Sequence, residues 1–267
     1  MSFLNPDKEK RGQSIHVNSY RWSGGPKDFT LPDGTNAKKP QAEIVYYDGT
    51  QNQKVALPFK MAIIGVTSQV RGYTQGQTQG SGVSYWSNET VNFGDKMTVW
   101  RKDADGTTKF AEGTYGEIKG RLKGIAAYQI NVYFYNFEKK QIDRFEMQGS
   151  ARGPFMDYDK RFRSDKYKAF TVMTAGELAH SPVADYYPPV ITLDTTPYTA
   201  EQIEEIKGVA VRFDEYEAEL AKAAMGEADA AAFDQTPAQY EGEGSQEYQD
   251  APAPTQEPTA DLKDVPF

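Results

Sequence analysis

Ala127-Tyr128-Gln129-Ile130-Asn131-Val132-Tyr133-Phe134-Tyr135-Asn136-Phe137 reads as a β-strand with two different faces. Successive side chains of a strand point to opposite sides. Tyr128, Ile130, Val132 and Phe134 therefore share one face, and Gln129, Asn131, Tyr133, Tyr135 and Phe137 share the other. The first is an apolar core face. The second mixes amides with aromatic rings, which suits two environments: a surface where bases stack and form occasional hydrogen bonds, or a second buried layer beneath the C-terminal helix or another subunit.

Alternation recurs on both sides of this stretch. Ser14 to Trp22 sets Ile15 and Val17 against His16, Asn18, Tyr20 and Trp22, so Tyr20 and Trp22 repeat the ring-bearing pattern. Further strand candidates are Ala42–Tyr47, Lys54–Val66, Lys96–Lys102, Thr107–Ala111, Gly116–Leu122 and Gln141–Gln148. Asp105-Gly106 and Glu138-Lys139-Lys140 read as hairpin connections. The Gly/Gln/Thr/Ser-rich segment from Gly72 to Gly82 reads as a long mobile loop. About eight short strands with few helices predict a mainly β protein, an elaborated oligonucleotide/oligosaccharide-binding (OB)-like barrel with insertions, although the pattern also admits a sandwich.

The clearest helix follows that body. Thr199-Ala-Glu-Gln202 fits a capping box, with Tyr198 and Ile203 at the staple positions. Ile203, Ile206, Ala210, Phe213, Leu220 and Ala224 then trace a helical stripe that packs on the body or on a second copy of the chain. Residues 201–267 carry four cations against 17 acids, a net −13, which leaves +5 for residues 1–200. From Gly226 onward Glu, Gln, Ala and Pro dominate without apolar period, so this segment reads as disordered. The organisation expected is a body over residues 1–195, one C-terminal α-helix over 196–225 and a disordered acidic tail over 226–267.

Several functions are excluded or weakened by what is missing. The chain has no Cys and two widely spaced His, so disulfides, thiolate chemistry and a sequence-local His metal site are absent, and no cofactor is expected. No apolar run approaches the roughly 20 residues that span a bilayer, and the expectation is a soluble, cytoplasmic protein without membrane contact. Phosphate-loop, nucleophile-elbow and zincin motifs are also lacking. Asp103-Ala-Asp105-Gly106 resembles the start of a calcium loop, but Thr114 stands where the bidentate Glu is required, and a hairpin turn accounts for it. Asp157 and Asp159 could pair as carboxylates of a metal-dependent nuclease, yet they sit within a basic stretch whose charge they balance.

That stretch, Arg152 to Lys168, contains Arg152, Lys160, Arg161, Arg163, Lys166 and Lys168 interleaved with Phe155, Tyr158, Phe162 and Tyr167. Phosphates attract the cations and bases stack on the rings. An amphipathic helix with its aromatics inward would give the same pattern.

The chain ends Asp261-Leu-Lys-Asp264-Val265-Pro266-Phe267, an acidic tail finished by an apolar anchor. This terminus resembles the C-terminal tip of bacterial and bacteriophage single-stranded DNA-binding proteins (SSBs). Lys263 and the length of the body depart from the ordinary bacterial pattern and favour the bacteriophage type. The resemblance implies an OB body that coats single-stranded DNA in replication, recombination or repair, with no catalytic role. It also implies a tip of Asp261, Asp264, Val265, Pro266 and Phe267 that recruits replication or recombination proteins, with Phe267 in an apolar pocket, its terminal carboxylate on a basic residue, and Asp261 and Asp264 on a basic rim. The competing expectation is a β-rich structural or interaction module, such as a virion or assembly component, whose tyrosines form subunit contacts.

Overall fold

The computed structural model describes residues 18–30, 35–47, 51–75, 82–182 and 184–225. The Ser14–Val17 half of the first expected strand, residues 76–81 of the expected loop, and the whole acidic tail lie outside them. Strands β1 (Ser19–Ser23), β2 (Pro26–Thr30), β3 (Asn36–Pro40), β4 (Glu43–Tyr47), β5 (Asn52–Val55), β6 (Phe59–Thr74), β7 (Val83–Ser87), β8 (Lys96–Asp103) and β9 (Gly106–Thr114) lead to helix α1 (Tyr115–Leu122). They are followed by β10 (Ala127–Asn136), β11 (Gln141–Met147), helix α2 (Arg152–Phe162), β12 (Ala169–Ala175), β13 (Pro189–Pro197) and helix α3 (Ala200–Met225).

Eleven of these strands share one sheet in the order β5-β4-β1-β11-β10-β6-β7-β8-β9, with β12 and β13 attached through β6. The protein is mainly β, and the strands of the described residues form no closed barrel. β6 is 16 residues long because it serves three neighbours in turn: β12 at Phe59–Met61, β10 at Ala62–Arg71 and β7 at Arg71–Thr74. β1 and β11 run parallel, whereas the hairpin β2–β3 stands as a separate two-stranded sheet.

The apolar face of β10 forms the main core. Tyr128, Ile130, Val132 and Phe134 pack there with Ile44, Phe145, Met147 and Met173. Gly116–Leu122 is helix α1, not the strand its pattern suggests. Ile118 and Leu122 are four residues apart and both buried, a spacing that strand and helix periods share. What decides the matter is the start: the Glu117 carboxylate accepts the Thr114 backbone N–H at 2.7 Å and closes a capping box. The expected strand Lys54–Val66 divides into β5 and β6 at Pro58, whose peptide bond with Leu57 is cis. The β8–β9 and β10–β11 hairpins turn at the expected places, with Gly106 and Lys140 at positive φ.

α3 begins as its sequence predicts. Thr199 N–H donates to Gln202 Oε1 at 2.9 Å, and Gln202 N–H donates to Thr199 Oγ1 at 3.2 Å. Ile206, Val209, Phe213 and Tyr216 face the sheet, while Ile203 points outward and is 40% exposed. The helix lies across the second face of β10, and Phe213 fills the space above Gly65. A Cβ at that position would stand 1.7 Å from the Phe213 ring, so only glycine permits the contact.

Candidate nucleic-acid interface

The rings expected to stack bases are mostly inside the protein. Tyr20 and Trp22 are on the core face of β1, where Tyr20 meets Tyr46, Phe59 and Phe134, and Trp22 Nε1 donates to the Tyr187 carbonyl at 2.8 Å. Tyr133 and Tyr135 lie beneath α3, packed with Phe213 and with Phe137, so the second-layer reading of this face holds for its Tyr end. These four positions are corrected from DNA contacts to packing residues. Alternation cannot separate the cases, because a face covered by a helix and a face covered by bases need the same rings.

A buried polar knot fixes Tyr133. The Glu89 carboxylate accepts Tyr133 Oη–H at 2.8 and 3.0 Å, accepts Thr67 Oγ1–H and meets Arg144 Nη1 at 3.4 Å, while Arg144 Nη2 bonds Glu146 at 2.8 Å. Burial and the Glu89 charge push the Tyr133 phenol up. Burial opposes the charge of Arg144, but Glu146, Tyr133 and Glu89 reverse that effect and hold it protonated. Tyr216 of α3 joins the knot and is raised by burial, Glu89 and Tyr133, so it is a neutral phenol.

The amide end of the same face leads to a different surface. Gln69 is opposite Gln129, Arg71 is opposite Trp86, Trp86 opposite Trp100, and Trp100 opposite Lys109. One row further out, Tyr73, Ser84, Lys102 and Thr107 are in register. Residues directly opposite one another, or two apart along a strand, share a sheet face. Gln129, Asn131, Arg71, Trp86, Tyr73, Lys102 and Lys109 therefore share the face that Tyr133 occupies. Tyr73 is 49% exposed and Lys109 projects from the β9 edge beside Glu112, with which it pairs.

Unused hydrogen-bonding capacity collects on this face. Gln129 Nε2 and Gln69 Nε2 both donate to Asn131 Oδ1, at 2.6 and 3.4 Å, which leaves Gln129 Oε1 and Asn131 Nδ2 without partners. Arg71 Nε, Trp86 Nε1 and Arg144 Nε on the same face are buried and unpaired too. A buried donor or acceptor without a partner costs about 1–3 kcal/mol. The five share a sheet face but fall in several cross-strand rows, and Gln129 and Asn131 are buried, so these atoms are a cost of the packing and not sites open to a ligand.

The basic stretch divides similarly. Phe155 and Tyr158 are buried under α2 and Phe162 packs beside them, so these three aromatics point inward, whereas Tyr167 is exposed. Lys166 is buried and paired with Asp159, which removes it from the expected phosphate ligands; a buried, neutralised ammonium cannot reach a backbone in solvent. Lys168 pairs with Asp165 at 2.8 Å. Arg152 is half-buried, while Lys160, Arg161 and Arg163 are exposed. Asp157 is exposed and Asp159 is engaged by Lys166, and no group of three or more His, Asp or Glu among the described residues is placed to hold a metal ion. Asp105 N–H bonds the Asp103 carboxylate at 3.0 Å inside the hairpin turn. The expected partner-binding residues Asp261, Asp264, Val265, Pro266 and Phe267 lie outside the described residues. Among the described residues no helix is long and apolar enough to cross a membrane. The chain matches no protein-family model, no curated protein and no solved structure.

Sequence reasoning missed Arg71, Tyr73, Trp86, Lys102 and Lys109, which line this face above the buried Trp100. Their signal was available in part: Tyr85-Trp86 and Trp100-Arg101 are ring-bearing stretches in short strands, but only strand pairing sets Trp86, Trp100 and Arg71 side by side.

Proposed function

We propose that this protein binds single-stranded DNA with little regard to sequence and recruits partners through its C-terminal tip. The observation that carries the reading is the sheet face at β6–β9, where exposed Tyr73 and Lys109 and half-buried Arg71, Trp86 and Lys102 share one side. Sequence-tolerant single-strand binding uses a positive surface to follow phosphates and rings to stack bases, and it requires no catalytic group.

The body is read as an OB-like unit left open at one side. Support comes from β6, which changes partners twice along its length as strands do at the corners of curved sheets, and from the β7–β8–β9 meander beside it. The tip reading rests on Asp264-Val265-Pro266-Phe267 alone.

Fluorescence anisotropy with single-stranded and duplex oligonucleotides of several sequences, with and without Mg²⁺, tests this. The expected result is tight, sequence-tolerant binding to single strands, weaker binding to duplex and no cleavage. Absence of single-strand binding would leave a structural or interaction module as the better account, and Mg²⁺-dependent cleavage would point to a nuclease.

A further inference from the structure

On the opposite side of the sheet, the turn at residues 91–95 holds an aromatic ring out into solvent. Asn92 N–H donates to Asp95 Oδ2 at 2.9 Å, Asp95 N–H donates to the Asn92 carbonyl at 3.0 Å, and Asn92 Nδ2 reaches both Asp95 carboxylate oxygens at 3.3 and 3.4 Å. At its apex Phe93 is 59% exposed. Its ring stands 5.5 Å from Tyr128 at 72° and 6.1 Å from Tyr115 at 68°, and those two rings pack 4.6 Å apart. A turn tied by its own side chains and backed by two rings holds Phe93 in one place while leaving more than half of it open to solvent.

Cations lead away from it. Arg152 Nη1 donates to the Tyr128 carbonyl at 3.4 Å and so joins the start of α2 to the aromatic group. Arg152, Met156 and Lys160 are spaced i, i+4, i+8 and form one stripe along the helix, about 12 Å from end to end at 1.5 Å per residue. Arg163 continues it past the helix end. Among nearby acids, Asp159 is engaged by Lys166 and Asp165 by Lys168, which leaves Asp157 against the exposed Lys160, Arg161 and Arg163. Tyr128 is opposite Val70, one residue from Arg71, so this platform is on the other sheet face from the Trp86 row.

We propose that Phe93 and the Arg152–Lys160–Arg163 stripe form a second contact region for single-stranded DNA, with a base stacked on Phe93 and successive phosphates along α2. The proposal rests on the single-strand-binding function above. It makes the bound strand pass from one face of the sheet to the other. A short oligonucleotide satisfies only the Trp86 row, and a long one engages both regions.

The full-length protein and its Phe93→Ala and Phe93→Leu variants are titrated with oligothymidylates of roughly 8 and roughly 30 nucleotides, the shorter being within the range one binding module occupies. Cross-linking with 5-iododeoxyuridine strands maps the contacts. Both variants are expected to lose about 5- to 150-fold in affinity for the long strand, the equivalent of one stacked base, with the short strand bound as before and wild-type cross-links at residues 91–95. Leu keeps the apolar packing without a π-face, so wild-type DNA affinity in Phe93→Leu would make the turn an apolar contact for a protein and overturn the proposal. Equal losses on both lengths would place Phe93 in the first region and overturn it as well. Long-strand binding unchanged in both variants, with cross-links confined to β6–β9, would leave single-strand binding standing and sink the second region. No binding of either strand by the wild type would sink both readings.

Discussion

Single residues separate packing from binding on one sheet face. Tyr133 and Tyr73 are both tyrosines on that face, yet Tyr133 is 1% exposed and Tyr73 is 49% exposed. Tyr133→Ala should lower stability by about 3–5 kcal/mol, the range for emptying a buried aromatic site, and leave the DNA affinity of the folded protein unaltered. Tyr73→Ala should do the reverse, weakening single-strand binding by about 1–3 kcal/mol with an unchanged melting temperature. Thermal denaturation and anisotropy on the pair check both, and a binding loss confined to Tyr133→Ala would return the stacking role to the covered end of the face. A pH dependence also belongs at this scale. Lys140 donates to the Glu205 carboxylate at 2.7 and 2.9 Å and, through that hydrogen bond, holds it below its ordinary 4.5. A lowered folded-state pKa stabilises at pH above the ordinary value and ceases to do so as pH falls through the folded-state value. Glu205→Gln should therefore be less stable than wild type at pH 7, by a small margin because the pair is exposed. That margin should disappear in acid below the carboxylate range, as melting temperatures measured from pH 2 to pH 7 would show.

Elements were legible in the sequence to the extent that their signals were local. The capping boxes at Thr114 and Thr199 need only four consecutive residues each, and the one before α3 was read correctly. α1 was missed because Ile118 and Leu122 satisfy two periods at once. The inward side of α2 stayed undecided, since amphipathic helices and stacking surfaces both alternate rings with cations. Docking of α3 depends on a non-local fit, Phe213 over Gly65, which lie 148 positions apart. Gly65→Ala should destabilise the protein by displacing that ring. In a Phe213→Ala background the same change should cost much less, because the atom it collides with is gone. A double-mutant cycle by urea denaturation measures the coupling, and additive costs would mean that the helix is held elsewhere.

At the scale of the whole molecule, charge is divided between body and tail. Neutralising Lys160, Arg161 and Arg163 together should flatten the plot of log K against log salt, by about 0.7 for each phosphate of a single strand that is no longer neutralised. An unaltered slope would show that α2 does not meet the backbone. Residues 226–267 carry ten acids against Lys263, and their removal should tighten DNA binding most at low salt, where a tethered polyanion competes best for a positive surface. Equal binding of the full-length and shortened proteins at low salt would end the competition model. Deleting Phe267 alone should leave DNA affinity nearly unchanged and abolish capture of a replication or recombination protein, because an apolar pocket loses its anchor. The sequence by itself determined a mainly β body, the two faces of β10, the start of α3 and the separation of charge, since period, capping and composition are properties of neighbouring residues. Only the tertiary structure decided which neighbour covers each face: α3 over Tyr133 and Tyr135, the core over Tyr20 and Trp22, and neither over Tyr73 and Phe93. The physical reason is that alternation assigns a side chain to a face, while exposure depends on what the rest of the chain packs against it.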